Sequence, residues 1–195
     1  MQRLLDYQKS VGHVTEMTGH VPEFGGHDAE TAGHDDPKYA IGADADSGLV
    51  HSVHVTSANE SDVANTHALL HGQEHRVHAD SGYTGAAKRE EIVQAQTEGR
   101  LRADVDWHVA IKRGKIVSLA DGVHKELTVM LERRKAQIRA RVEHPFHIVK
   151  NLFGHKKVSY KGLAKNRARM FSLFALANLV IAKRPLLRLA GMGAS

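Results

Sequence analysis

Cysteine is absent from this chain, so neither disulfides nor thiolate metal sites can hold its fold. That suits a reducing cytoplasm, where we expect the protein to reside. Long apolar runs are lacking as well. The longest, Met170 to Ala182, is interrupted by Ser172 and Asn178 and flanked by Arg167, Arg169, Lys183 and Arg184. A membrane span needs about 20 apolar residues, so this stretch predicts a buried helix of a soluble protein, with no membrane partner. The opening residues MQRLLDYQKS have no apolar centre of the kind a secretory signal carries. Acid is missing from the whole segment His144 to Ser195. Ten cations stand there: Lys150, Lys156, Lys157, Lys161, Lys165, Arg167, Arg169, Lys183, Arg184 and Arg188. A field of one sign attracts polyanions, nucleic acid above all, although a solvated basic surface would read the same way.

What is present divides the 195 residues unevenly. Residues 1–37 are rich in glycine and histidine, with Gly-His pairs at Gly12-His13, Gly19-His20, Gly26-His27 and Gly33-His34, a strict seven-residue spacing. Such a string could offer imidazoles to zinc or nickel, or it could be a translated tandem or frame-shifted DNA repeat. Four glycines at heptad spacing oppose a helix that would gather the histidines on one stripe. We expect this segment to be disordered. Residues 38–190 carry the pattern of a folded domain.

Within that domain Tyr39–Ala43 and Leu49–Thr56 are rich in strand formers. The Asp44-Ala-Asp-Ser-Gly48 turn between them predicts a β-hairpin. Ser61 or Asp62 could cap a helix reaching His71. A short strand is expected over Arg76–Ala79, a helix from Ala86 to Gln96, and a strand over Val105–Ile111. A basic loop, Lys112-Arg-Gly-Lys115, follows. A long helix is expected from Lys125 to Lys150, kinked by Pro145, and a last one from Leu163 to Lys183, stopped by Pro185. A hairpin followed by alternating strands and helices predicts an α/β domain with a mixed sheet flanked by helices.

Two carboxylates stand out. Asp80 falls just past the end of a short strand, where ligand sites in α/β sheets gather, although Asp-Ser-Gly is also an ordinary turn. Glu143 has Arg139 four residues before it, His147 four after and Lys150 seven after, so helical spacing puts all four on one face. That face is either an ion-pair ladder of little energetic weight or a metal ligand set among groups that hold phosphates. Spacing alone leaves both open.

Five separate segments resemble the transposases of the insertion-sequence-5 group, within the DDE superfamily. They are Ile41-Gly-Ala-Asp-Ala-Asp-Ser-Gly-Leu-Val-His-Ser-Val53, His78-Ala-Asp-Ser-Gly-Tyr-Thr-Gly85, Asp104-Val-Asp-Trp-His108, Ile138-Arg-Ala-Arg-Val-Glu-His-Pro-Phe146 and Val158-Ser-Tyr-Lys-Gly-Leu-Ala-Lys-Asn166. The family places an arginine four residues before its catalytic glutamate and a lysine seven after, as Arg139 and Lys150 stand to Glu143. Its tyrosine three residues before that arginine is replaced by Ala136.

The resemblance implies an RNase H-like fold and three carboxylates holding two Mg²⁺ (or Mn²⁺) ions for DNA cleavage and strand transfer at insertion-sequence ends. By correspondence Asp80 is the second acid and Glu143 the third, both metal ligands and catalytic. Arg139 and Lys150 would grip backbone phosphates, joined by Lys112, Arg113, Lys156, Lys157, Lys161 and Lys165. The first acid should sit on an apolar first strand upstream of the hairpin, and no such run is found in residues 1–38. Leu4-Leu5-Asp6 is too short, and Asp28, Asp35 and Asp36 lie among glycines and histidines. The expectation is therefore an N-terminally truncated, inactive remnant without a clear first strand. It could act as a homo-oligomer or with an intact transposase. The competing expectation is a non-catalytic basic DNA-binding protein that interferes with such a transposase.

Overall fold

The computed structural model of the chain describes residues 13–18, 37–57, 60–158, 160 and 162–191. The predicted hairpin is present as β2 (Pro37–Asp44) and β3 (Val50–Ser57), antiparallel, with Ile41 opposite Val53. Its turn is closed by Asp44, whose Oδ1 accepts the Ser47 N–H at 2.7 Å and the Ser47 hydroxyl at 2.6 Å. This is the local bonding for which Asp and Ser are favoured in turns.

One expectation is corrected at the N-terminal side. The backbone of His13–Thr18 forms a strand, β1, inside the segment in which no clear first strand was expected. It takes the centre of the sheet, antiparallel to β2 (Thr18 opposite Ile41) and parallel to β4 (Glu74–Ala79; Met17 opposite Ala79). Six mostly polar residues give no apolar run to read, but pairing on both sides satisfies the strand's backbone groups and removes two open edges. The other Gly-His repeats, at Gly19, Gly26 and Gly33, lie outside the described residues, as do Asp6, Asp28, Asp35 and Asp36.

The strand order is β3-β2-β1-β4-β5, with β5 (Asp106–Val109) parallel to β4. A central strand leading into an antiparallel hairpin, then parallel strands reached through helices, is the strand arrangement of the expected RNase H-like α/β fold.

The helices differ from expectation in three places. Between β3 and β4 only a short 3-10 turn, Thr66–Leu69, replaces the helix expected from Ser61 to His71. There Thr66 Oγ1 donates to the Val63 carbonyl at 2.8 Å and Asn65 Nδ2 to that of Ser61 at 3.3 Å, local bonds that compete with a helix. Asp62 pairs with Lys38 at 2.9 Å instead of capping. After a 3-10 turn at Ala86–Lys88, α1 (Glu90–Thr97) completes the segment expected to be helical. The basic loop is a short helix, α2 (Arg113–Val117).

Helix α3 (Val123–His147) runs through Pro145 and widens into a π turn at Ile148–Leu152. Helix α4 (Leu163–Leu189) continues past Pro185, which is exposed. Its 27 residues are, by length and composition, enough to cross a membrane, and only 17% of its most apolar window is buried. The helix expected to end at Lys183 thus runs six residues further, and it is mostly exposed instead of buried.

The main core lies between the hairpin and α3–α4. Tyr39, Ile41, Ala43 and Val55 from the sheet meet Val142 and Val149 from the α3 side and Met170, Phe174 and Ala177 from α4. Burying a side chain such as Phe174 contributes roughly 1.5–3 kcal/mol. The Asn178 side chain accepts from the Val50 N–H at 2.8 Å and donates to the Val50 carbonyl at 2.7 Å, fixing α4 to the outer strand β3. The opposite face of the sheet is packed by Leu69, Tyr83 and Ala86 against Ala40, Val77 and Ala79. Strand β4 starts from buried Glu74, whose carboxylate accepts the N–H groups of His71 and Gly72 at 2.6 and 2.7 Å. Gly72 has φ +94°, and a Cβ there would strike the Arg100 carbonyl, so only glycine fits.

Candidate functional site

Asp80 is the first residue past β4, half-buried, with its Oδ1 accepting the Gly82 N–H at 2.7 Å. The turn role and a ligand role are thus compatible: one oxygen holds the turn rigid. Tyr83 packs beneath. Burial pushes its phenol well above the ordinary range, with the charges of Asp62 and Asp80 adding to the shift.

Helix α3 is tied down at two points. Near its middle, Lys135 Nζ donates to the Val109 carbonyl at 3.1 Å and to Glu132 at 2.8 Å, while Glu132 accepts the Ile111 N–H at 3.1 Å. Further on, Arg141 Nη1 donates to the Ala45 carbonyl beside the hairpin turn. The helix therefore crosses from the end of β5 to β2 and lies over β4 and β1. Val109 pairs with Ala79, so the Lys135 anchor stands at the same end of the sheet as Asp80. Glu143 comes eight residues later, about 12 Å along the axis at 1.5 Å per residue.

Glu143 is exposed and forms no ion pair with any described residue. The alternative of a surface ladder is not what the helix builds: His147 Nδ1 bonds instead to Asn151 Nδ2 at 2.9 Å. Arg139 is half-buried, and its Nη1 is enclosed with no hydrogen-bond partner among the described residues. His78 is 5% exposed, and its ring is stacked on that of His108 with centroids 4.8 Å apart. Burial lowers the His78 pKa to about 4, with His108, Arg76, Arg139 and Lys135 adding to the effect. Sequence reading missed this histidine pair, because each residue looks ordinary alone and only the β4–β5 register brings them face to face.

The remaining basic residues form a surface, not a cluster at one point. Lys112 precedes α2 and Arg113 begins it, both exposed; Lys156, Lys157 and Lys165 are exposed; Lys150 is half-buried in the π turn. Lys161 lies outside the described residues. Among the described residues no group of three or more His, Cys, Asp or Glu side chains is placed to hold a metal ion, and no bond joins Asp80 to Glu143.

This geometry meets its comparison in a family model: the transposase DDE domain matches residues 17–179, from within β1 to the middle of α4. The chain belongs to that family, whose members cut and join DNA and use divalent metal ions. It is also similar to the catalytic core domain of BIV integrase, at 10% identity and a TM-score of 0.31, over 83% of this chain and 99% of that one.

Proposed function

We propose that this chain is a cytoplasmic strand-transfer domain of the insertion-sequence-5 kind, spanning residues 38–190 together with β1. Asp80 and Glu143 are its recognisable metal ligands, and its activity is low because the first acid position is altered. The observation that carries the reading is the register of β1. Glu16 stands in the row between Ala43 and His78, and Ala43 faces α3 through the core it shares with Val142. Glu16 at that register position is the residue we assign as the third acid that the resemblance implies. It is a glutamate, one methylene longer than aspartate, and a misplacement of about 1 Å at a reacting centre can cost about a hundredfold.

The donor chemistry fits a hard divalent ion. Asp80 and Glu143 offer oxygen only, neither is consumed by an ion pair with a described residue, and no thiolate competes. Asp80, Glu143 and Glu16 would hold Mg²⁺ or Mn²⁺. When bound, the metal supplies activation of a water or 3′-hydroxyl and stabilisation of the leaving oxygen. The protein's own part is to fix Asp80 through Gly82, to fix α3 through Lys135 and Arg141, and to hold DNA phosphates. Arg139, Lys150, Lys112, Arg113, Lys156, Lys157, Lys161 and Lys165 do the last without reading bases.

The second reading is a non-catalytic DNA-binding protein that interferes with an intact transposase, by itself or as a homo-oligomer. The acid-free stretch from His144 onward favours it. One experiment separates the two. Nicking of labelled element-end DNA in Mn²⁺ is compared for the natural chain, Glu16→Asp and Glu143→Gln. The proposal expects Glu16→Asp to raise nicking at least tenfold and Glu143→Gln to abolish it with DNA affinity retained. DNA binding with no nicking by any variant, Glu16→Asp included, would instead establish the second reading.

A further inference from the structure

On the outer flank of α4, Leu163, Ala164, Arg167, Ala168 and Phe171 line an open hollow of about 520 Å³. Spacings of three and four residues put these side chains on one face, beside the face that carries the buried residues Asn166, Met170 and Phe174. Phe171 is 45% exposed, and the Arg167 guanidinium lies 5.8 Å from its ring centroid. The hollow thus has an apolar floor, one ring presented to solvent, and one cation at its rim. No Asp or Glu follows Glu143 in the sequence to neutralise the surrounding field.

Its position is set by register. Asp80 follows Ala79, which lies level with Met17, Gly42 and Ser52. The row of Asp80 is therefore that of Thr18, Ile41 and Val53, and His54 lies one step beyond. Helix α4 packs on β3, with Asn178 bonded to Val50 at the start of that strand and Arg167 eleven residues earlier in the helix, and the Arg167 charge adds to the burial that holds His54 below its ordinary pKa. The start of α4 therefore lies over the far part of β3, toward the end of the sheet where Asp80 stands, and β3 is three strands from β4.

Resting on the reading of the chain as a DNA strand-transfer domain, we infer that the Phe171–Arg167 hollow is a stacking site for an unpaired base of the DNA strand leading to the catalytic end of the sheet. A base within a duplex already has both faces covered, whereas an unpaired one gains from an aromatic ring or a guanidinium plane. Arg167 serves both needs, as a cation for the phosphate and as a planar partner for the base. The site is tolerant of sequence, since every base offers a π-face.

The test uses the full chain and two fluorescent DNA probes, a blunt duplex and the same duplex with a 3′ overhang carrying 2-aminopurine. The natural chain is expected to favour the overhang by about tenfold and to quench the 2-aminopurine. Phe171→Ala and Phe171→Leu, the second retaining an apolar wall without a π-face, should each bring that ratio to about one and restore the fluorescence. Phe171→Trp should keep both effects. Melting curves establish that each variant is folded. Equal affinity for the two probes, quenching that survives Phe171→Leu, or a preference for anionic lipid vesicles over the overhang would overturn the stacking site and leave the parent reading standing. Failure to bind either probe would sink the parent reading itself.

Discussion

Asp80 and Gly82 are locked together: the Oδ1 of the first accepts the N–H of the second at 2.7 Å, and a Cβ on Gly82 would come within 2.8 Å of that same oxygen. Because the obstructed atom is the end of a side chain, a methyl group there would displace the carboxylate and leave the backbone in place. Gly82→Ala should thus reduce Mn²⁺ affinity about tenfold while changing unfolding free energy by less than about 1 kcal/mol. Calorimetric titration and urea unfolding of the same samples measure both. A large loss of stability with unchanged metal affinity would contradict the assigned role.

Asn178 carries the link between α4 and the outer strand. Asn178→Leu removes two bonds to Val50 and leaves a half-buried amide and carbonyl to find new partners, at a cost of roughly 2–3 kcal/mol. Urea unfolding should show the loss as a lower midpoint with an unchanged slope. A neutral result would mean that α4 is held by its apolar contacts alone.

Acid should weaken the fold through its histidines. His78, His155 and His54 all have pKa values lowered chiefly by burial, His78 to about 4. A base with a depressed folded pKa takes up its proton more readily when unfolded, so stability is full above pH ~6.5 and declines as pH falls from there towards 4. For His78 the decline amounts to roughly 2–3 kcal/mol by pH 4. Unfolding free energies at pH 7.5, 6 and 5 should fall in that order; a flat profile would mean that these histidines are not neutral in the folded chain.

DNA binding should be strongly salt-dependent. Each phosphate neutralised contributes about −0.9 to the slope of log affinity against log salt. The double variant Lys112→Gln with Arg113→Gln, both exposed at the start of α2, should reduce that slope by ~2 on any duplex sequence. Loss confined to one sequence would mean that these side chains read bases.

Much of the fold was legible because local and tertiary signals agreed. The hairpin around Asp44–Gly48 and strand β4 ending at Asp80 follow from turn chemistry and strand propensity. The central strand was not legible. His13–Thr18 has neither an apolar run nor alternation, and its strand state comes from the two neighbours that pair with it. The helix expected at residues 61–71 failed because Asn65 and Thr66 bond locally. Pro145 was expected to kink α3 and Pro185 to stop α4, yet both helices run on through their proline, each giving up the one i→i−4 bond that proline cannot donate. Of the residues we propose for the site, Asp80 and Glu143 could be named from motif spacing and family resemblance. Glu16 could not, since its only signal is a register position that exists once the sheet is assembled.

The account turns on whether Asp80 and Glu143 serve one metal centre, and Mn²⁺ titration followed by electron paramagnetic resonance tests that directly. Asp80→Asn and Glu143→Gln are each expected to weaken Mn²⁺ binding at least tenfold, with the double variant little worse than either single one. Mn²⁺ affinity in both single variants equal to that of the natural chain would contradict it.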